Sequence, residues 1–232
     1  MDTTFNIQGN ALMSAAALVG MVLLLGGLSM LLLYFMLKGR PVAARRVTAV
    51  GALAVGGYAA LLLGASAAAE GRELAPGAEK YFCEIDCHLA YSVRALEPMG
   101  AAGNSELHVV TLRARFDPTT TSARRGDRPL HMNPRRVSLI DDAGREYRPS
   151  ESGMRALEAR RGPQPDFHRA LRPGESADVP LVFALPHGAR PARLLLTDAG
   201  WETRLMIGHE NSPFHPRSAF VLAASDERMS QR

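Results

Sequence analysis

The chain begins with two long apolar segments that contain no charged residue. They cover residues 11–37 and 47–69, so 27 and then 23 consecutive positions lack Asp, Glu, Lys and Arg. An α-helix rises about 1.5 Å per residue, so about 20 residues cross a hydrocarbon layer of about 30 Å. We therefore predict a transmembrane helix in each segment.

The short link between these segments, residues 38–46, indicates which way they cross. It carries four cations, whereas residues 1–10 contain no Lys or Arg; the four are Lys38, Arg40, Arg45 and Arg46. Basic links of this kind usually lie in the cytoplasm. We expect a bacterial inner-membrane protein with membrane lipid around its helices. The N-terminal tail, residues 1–10, and the C-terminus are both expected in the periplasm.

The second apolar segment has two further features. Arg45, Arg46 and the alanines at 67–69 resemble a signal peptide with an Ala-x-Ala site, but the segment is longer than a usual signal core and follows a complete first span. An uncleaved span is favoured, and cleavage remains the alternative.

In the same segment small residues recur at every fourth position. They are expected to pack on the first span or on a partner's helix; the alternative is that they reflect the generic composition of an Ala/Gly-rich span. They are Ala52, Gly56, Ala60, Gly64 and Ala68.

The rest of the chain changes from continuous to alternating hydrophobicity. In Glu106–Phe116, every second residue from Val110 is apolar, while Arg113 and Arg115 take the other face. We predict a linker at 70–78, an antiparallel β-sandwich at 79–223 and a flexible tail at 224–232. The predicted strands are 88–96, 106–116, 136–140, 146–148, 179–185, 193–197, 203–207 and 219–222, with a short helix at 151–160 after Ser150.

Four stretches of this region carry a family resemblance: "LHVVTLRARF", "PRRVSLIDDAGREYRPS", "LRPGESADVPLVFALP" and "ARLLLTD". Together they are similar to the immunoglobulin-like, telokin-like domains of unknown function on bacterial membrane-anchored proteins. Leu139, Asp141 or Asp142, Gly144 and Tyr147 match that family's hairpin. The resemblance covers about residues 80–222 and implies a sandwich that serves in binding or scaffolding rather than one particular function.

The net charge of the chain does not indicate a nucleic-acid partner. The sequence has 27 Lys and Arg against 23 Asp and Glu and a pI near 9.4. The four cations of the link account for nearly all of the excess, so the outer domain is close to neutral. Proteins that bind nucleic acid usually carry a basic patch on the folded domain.

Both cysteines lie in one short motif, Cys83–His88. Outside the cytoplasm a disulfide between Cys83 and Cys87 is the leading interpretation, and it requires a turn between them. The alternative is a copper or zinc site that uses these thiols and His88, with His209 or His215 from a later loop. Covalent haem attachment is disfavoured by the surrounding β pattern. No cofactor is expected under the leading interpretation.

The functional hypothesis starts from the absence of hydrolase, nucleotide-binding and zinc-protease motifs. We expect a non-catalytic accessory or scaffolding subunit whose sandwich binds or braces integral membrane and periplasmic proteins of a larger complex. Respiratory and photosynthetic electron-transfer assemblies are hosts by analogy alone. The alternative is a metal-handling or thiol redox protein that uses the Cys83–His88 motif. Candidate docking residues are Arg124, Arg125, Arg128, Arg135, Arg136 and Trp201, although a core position is favoured for the tryptophan.

Overall fold

Two long helices form the N-terminal part of the chain, α1 (Ala11–Leu37) and α2 (Pro41–Ala67). The structure is a computed structural model, and it describes residues 11–82, 88–121, 126–132 and 135–222. Both helices are long and apolar enough to cross a membrane.

The bounds of α1 match the predicted span, but α2 begins six residues earlier than predicted. Proline is favoured at the first helical position because its missing N–H would have no partner there, and the Ala and Arg residues that follow it are good helix formers. Residues 41–46, two thirds of the basic link, are therefore helical. The turn itself is short: Gly39 has φ +63°, and the N–H of Arg40 donates to the carbonyl of Phe35 at 2.9 Å.

The face of α2 turned towards α1 differs from the predicted one. Val47 and Leu62 are buried, and a Cβ added to Gly51 would lie 3.8 Å from Cδ1 of Leu28 in α1. The predicted face of small residues is exposed along the helix. The prediction that it packs on the first span is therefore wrong, whereas its packing on a partner's helix stays a prediction. The exposed helical members are Ala52, Gly56, Ala60 and Gly64, and Ala68 caps the helix end.

The chain divides into two compact units, and the helical unit also includes a later segment, Gly200–Pro216. The hydroxyl of Tyr58 donates to the carbonyl of Leu205 at 2.7 Å, and Ser14 donates to the carbonyl of Ile207 at 2.6 Å. The predicted strand at 203–207 is wrong: a 3₁₀ turn forms at Glu202–Leu205. Carbonyls that would face a neighbouring strand accept from these helix hydroxyls instead.

The other unit is rich in β-structure and contains Gly71–Ala199 with the described residues of Arg217–Arg232. Its described strands are β1 (Glu73–Leu74), β2 (Lys80–Tyr81), β3 (Leu89–Ala102), β4 (Ser105–Phe116), β5 (Leu130–His131), β6 (Arg135–Asp141), β7 (Glu146–Tyr147), β8 (Ala170–Leu171), β9 (Ser176–Pro186), β10 (Pro191–Asp198) and β11 (Ala219–Val221).

These strands form two main sheets, in the orders β2-β3-β4-β9 and β1-β11-β10-β6-β7, and a small pair, β5-β8. Pairing is antiparallel except between β1 and β11, which are parallel. The segment predicted as a linker thus supplies an edge strand. Pro180 lies in β9, an edge strand of its sheet, where a missing N–H is tolerated.

One apolar core lies between the two main sheets. Leu112 and Phe183 of the first sheet and Leu139, Leu194 and Phe220 of the second are at most 1% exposed and belong to one cluster. The alternation predicted for β4 is confirmed, since every second residue from Val110 to Phe116 is buried. The domain is a sheet-rich, sandwich-like arrangement of largely antiparallel strands.

Helix α3 (Glu151–Arg161) covers the outer face of the first sheet. The predicted helix after Ser150 is confirmed, and Ser150 caps it, because the Ser150 hydroxyl accepts from the N–H of Gly153 at 3.1 Å. Leu157 packs with Val109 of β4 and Val182 of β9 in a second, smaller cluster. The first sheet is therefore apolar on both faces beneath α3.

Candidate functional site

A cleft of about 390 Å³ opens in the sheet-rich unit beside β6. We call it the arginine cleft. It lies where the chain passes from β7 towards α3: Pro149 forms a bridge with Phe183 of β9, and the N–H of Ser150 donates to the carbonyl of Val182 at 2.7 Å. Its lining residues are Arg135, Arg136, Val137, Arg148, Pro149, Phe167 and Leu181.

The arginine cleft combines an apolar wall with positive charge. Phe167 and Leu181 are half-buried and pack against the core, whereas Arg136 and Arg148 are exposed. Neither of these two arginines forms an ion pair in the described part of the chain, and no Asp or Glu lines the cleft. A planar guanidinium binds carboxylate with two parallel hydrogen bonds. The cleft is thus suited to a segment that carries both apolar and acidic side chains.

Arg135, the neighbour of Arg136 on β6, has a different environment. Its side chain is 2% exposed, its Nη1 donates to Oδ2 of Asp198 at 2.8 Å, and its Cζ lies 4.1 Å from the ring centroid of Phe82. The guanidinium of Arg135 therefore binds groups of its own domain. The prediction of Arg135 as a docking residue is therefore wrong, because successive residues of a strand face opposite sides and this one faces the core.

Arg136 is the predicted docking arginine that is both exposed and part of the cleft lining. Arg128 is exposed but does not line it, and Arg124 and Arg125 lie outside the described residues. Three of the residues that do line it, Arg148, Phe167 and Leu181, were not predicted. The hairpin signal at Asp141–Gly144 could have found the first of these.

Trp201 is exposed rather than in the core. Its side chain is 72% exposed at the start of Gly200–Pro216, and Phe214 of the same segment is 83% exposed. The segment is held internally: the Thr203 hydroxyl donates to the carbonyl of Gly200 at 2.6 Å and accepts from Nδ2 of Asn211 at 2.9 Å. Two large apolar side chains thus project from a hydrogen-bonded segment, which keeps docking by Trp201 as a prediction.

His209 and His215 of that segment hydrogen-bond to its backbone. Nδ1 of His209 accepts from the N–H of Asn211 at 3.0 Å, and Nδ1 of His215 donates to the carbonyl of Pro216 at 2.7 Å. These bonds hold the rings to their own segment. No cluster of three or more possible metal-binding His, Cys, Asp or Glu side chains occurs among the described residues.

His88 ends the cysteine motif and is 6% exposed. Its ring stacks on Phe116 at 5.4 Å, and its Nδ1 lies 2.7 Å from Oγ1 of Thr120. That hydroxyl already donates to the carbonyl of Asp117 at 2.8 Å, so Nδ1 of His88 is the donor. The ring is fixed as part of the domain's structure.

Cys83 and Cys87 lie outside the described residues, so the disulfide and the metal site stay predictions. A bridged chain would have an intact mass 2 Da below that of the reduced chain and would resist alkylation before reduction. A metal site would retain copper or zinc in elemental analysis of protein from metal-replete cells.

A polar network beside this motif was missed by the sequence reasoning. Arg115 forms a two-point ion pair with Glu79, through Nε–Oε1 at 2.7 Å and Nη2–Oε2 at 2.6 Å. This pairing lowers the pKa of Glu79. The Tyr81 hydroxyl donates to Oδ2 of Asp117 at 2.6 Å, and burial together with this bond raises the pKa of Tyr81. The network joins Glu79 and Tyr81 at β2 to Arg115 and Asp117 at the end of β4, in the same sheet.

Asp141, the first acid of the hairpin turn, has a structural role. Asp141 is buried and accepts from the N–H groups of Ala143 and Arg145 at 3.0 and 2.8 Å, and from the Tyr147 hydroxyl at 2.9 Å. The burial that would raise its pKa is outweighed by these hydrogen bonds, so the pKa of Asp141 is lowered. An ionised, fully bonded carboxylate of this kind stabilises the turn.

Comparisons with known proteins add little to this picture. No family model and no curated protein matches the chain. Among solved structures, it is similar to the 2.2 Å crystal structure of a conserved hypothetical protein from Bacillus anthracis, with 12% identity and a TM-score of 0.33. The similarity covers 47% of this chain and 81% of that protein.

Proposed function

We propose that the protein is a non-catalytic accessory subunit anchored in a bacterial inner membrane by α1 and α2. Its sheet-rich domain, of immunoglobulin-like type, lies in the periplasm and binds a partner protein through the arginine cleft. The partner contributes an acidic and partly apolar segment and belongs to a larger membrane assembly.

The anchoring part of this proposal is supported by the helix surfaces. Leu23, Met30 and Leu53 are each more than 70% exposed, and many other apolar side chains of both helices are exposed as well. A water-soluble surface rarely presents so continuous an apolar area, whereas lipid accommodates it. The four cations at the turn between the helices favour a cytoplasmic turn and a periplasmic domain.

The binding part depends on one observation: two exposed arginines, with no carboxylate partner among the described residues, flank a half-buried apolar wall. In most protein interfaces an aromatic or aliphatic centre is surrounded by a polar rim, and arginine is enriched there. Arg136 and Arg148 supply such a rim, and Phe167 and Leu181 supply the centre. A carboxylate placed between these arginines would replace the water that now solvates them.

Chemical crosslinking in native membranes, followed by mass spectrometry, tests the proposal. The cleft variant is Arg136→Glu with Arg148→Glu. The control is Arg155→Glu with Arg169→Glu, two exposed arginines that do not line the cleft and whose replacement changes the net charge equally. We expect the wild type and the control to crosslink to the same partner through an acidic peptide, and the cleft variant to lose that crosslink. A clean monomer, or a partner retained by the cleft variant, would contradict the proposal.

A further inference from the structure

The turn between α1 and α2 opens a second cavity, a groove of about 690 Å³ on the surface of the helix pair. Leu32 and Met36 of α1 form one wall, and Ala49 and Ala52 of α2 form the other. Because alanine has no side chain beyond Cβ, the wall on α2 is low and the groove remains open. We call it the turn groove.

One end of the turn groove is positively charged. Arg40 and Arg45 line it, both are exposed, and neither forms an ion pair in the described part of the chain. The sequence has no Asp or Glu between Asp2 and Glu70 that could neutralise them. The turn groove is therefore cationic at its mouth and apolar along its length.

The helix terminus adds to this charge. The first hydrogen bond of α2 runs from the N–H of Ala44 to the carbonyl of Arg40 at 3.0 Å, and Arg40 makes no side-chain cap. The N–H of Val42 lies before this first bond, so it takes no part in the hydrogen bonds of the helix. Together with the helix dipole it favours an anion at this end.

The length of the turn groove matches one lipid leaflet. Ala52 lies twelve residues after Arg40, the residue that precedes α2, which corresponds to about 18 Å of helix. Half of a hydrocarbon core of about 30 Å, plus the depth of a headgroup, is of similar size. A phosphate at the arginines would thus let an acyl chain follow the apolar wall.

We propose that the turn groove binds one anionic phospholipid, with its phosphodiester at Arg40 and Arg45 and an acyl chain along Ala49 and Ala52. The inference rests on the membrane anchoring of the proposed function. A second copy of the chain fits less well, because its own turn would lie in the same leaflet and would bring four further cations to a site that already lacks anions. Basic pockets between transmembrane helices on the cytoplasmic side commonly bind such headgroups.

The test uses the full chain, purified in mild detergent and mixed with phosphatidylglycerol or phosphatidylcholine of identical acyl chains. Native mass spectrometry then measures how much lipid stays bound. The wild type should retain phosphatidylglycerol in preference to phosphatidylcholine. Arg45→Ala should weaken phosphatidylglycerol binding about fivefold, the effect of one basic residue at an anionic lipid surface.

Arg46→Ala is the matched control, because Arg46 is the next residue, is exposed and does not line the turn groove. It removes the same charge and should change binding less than twofold. Ala52→Leu, which fills the apolar wall, should weaken binding of both lipids without changing the preference between them. The inference would be overturned by equal losses for Arg45→Ala and Arg46→Ala, or by the lack of any preference for phosphatidylglycerol. It would also be overturned if the wild type is a dimer that Ala52→Leu dissociates.

Extraction of membranes with alkaline carbonate separates this inference from the proposal on which it rests. A chain released by carbonate would contradict the anchoring itself. A chain that stays in the membrane fraction but shows no lipid preference would contradict only the turn-groove site.

Discussion

The Tyr81 hydroxyl donates a 2.6 Å hydrogen bond to Oδ2 of Asp117. The same carboxylate accepts from the N–H and the hydroxyl of Thr119 at 3.0 and 2.8 Å, and Nη2 of Arg115 lies 3.3 Å from it. Burial alone would raise the pKa of Asp117, but these hydrogen bonds outweigh it and lower the pKa to about 2. The ionised form of Asp117 is thus tied to the folded state.

Asp117→Asn is therefore expected to destabilise the protein at neutral pH. The amide keeps the size of the side chain but loses the charge that Tyr81 and Arg115 stabilise. We expect a loss of about 2 kcal/mol in the free energy of unfolding, as for other hydrogen bonds to charged groups. Urea unfolding of the detergent-solubilised chain at pH 7 measures it, and a change below about 0.5 kcal/mol would contradict the assigned role.

The acid sensitivity of the protein should change in the same variant. A carboxyl whose pKa is lowered in the folded state contributes stability above its unfolded pKa of about 4, and this stability is lost as the pH falls towards 2. Wild-type melting temperature should therefore fall steeply between pH 4 and pH 2. The fall should be shallower for Asp117→Asn, although Glu79, whose pKa is also lowered, keeps part of it. Parallel pH profiles for the two proteins would contradict this prediction.

Gly153 lies in the first turn of α3. Replacing a helical glycine by alanine normally stabilises the helix by about 1 kcal/mol. Here a Cβ at this position would lie 2.6 Å from Cγ1 of Val182, inside the small cluster beneath α3. We expect Gly153→Ala to cost about 1–3 kcal/mol, the usual effect of overpacking.

Chemical denaturation of Gly153→Ala, Val182→Ala and the double variant separates this clash from other effects. The double variant should be more stable than the sum of the two single changes allows, because the shortened side chain makes room for the new methyl group. Additive losses would mean that Val182 is not what excludes a side chain at position 153.

Phe214 has φ +63°, a left-handed conformation that a bulky residue rarely adopts. Its side chain is 83% exposed, so its removal costs little packing. Phe214→Gly should raise the free energy of unfolding by about 1 kcal/mol, because glycine adopts this conformation without strain. Phe214→Ala, which keeps the Cβ, should give no comparable gain. Thermal unfolding of the two variants side by side measures the difference, and an equal response would show that the backbone is not strained.

Much of the architecture follows from hydrophobic periodicity. The first helix and the buried face of β4 are confirmed because long uncharged runs and strict alternation have few other solutions in a folded chain. The segment 203–207 is also predicted as a strand, yet a 3₁₀ turn forms at Glu202–Leu205. Its backbone partners are Ser14 and Tyr58, which lie nearly 150 residues or more away in the sequence, and periodicity carries no information about such distant partners.

The arginine cleft could be predicted only in part. The hairpin signal at Asp141–Gly144 sets the register of β6 and β7, with Leu139 opposite Tyr147, and this register places Arg148 diagonally from Arg136. Phe167 and Leu181 come from a loop and from the other sheet. Their arrival at the cleft depends on how the two sheets pack, which a single sequence does not specify.

Arg135 and Arg136 offer a matched pair in which burial decides the outcome. Arg135→Ala removes a guanidinium that is 2% exposed and leaves Asp198, itself only 11% exposed, without its 2.8 Å ion pair. Breaking a buried pair from one side typically costs about 3–5 kcal/mol. Arg136→Ala removes an exposed side chain that has no such partner among the residues that the structure describes, so the free energy of unfolding should change by less than about 0.5 kcal/mol.

For partner binding the order of the two variants should be reversed, with the direct loss in Arg136→Ala. Arg136→Ala should weaken the crosslink assigned to the arginine cleft while the domain stays as stable as the wild type. Arg135→Ala should weaken it only to the extent that the domain unfolds, so that lowering the temperature restores it. Urea titration and crosslinking yield, measured on the same preparations at two temperatures, distinguish the two effects. A stable Arg135→Ala protein, or an Arg136→Ala protein that binds its partner normally, would contradict this assignment of the two neighbouring side chains.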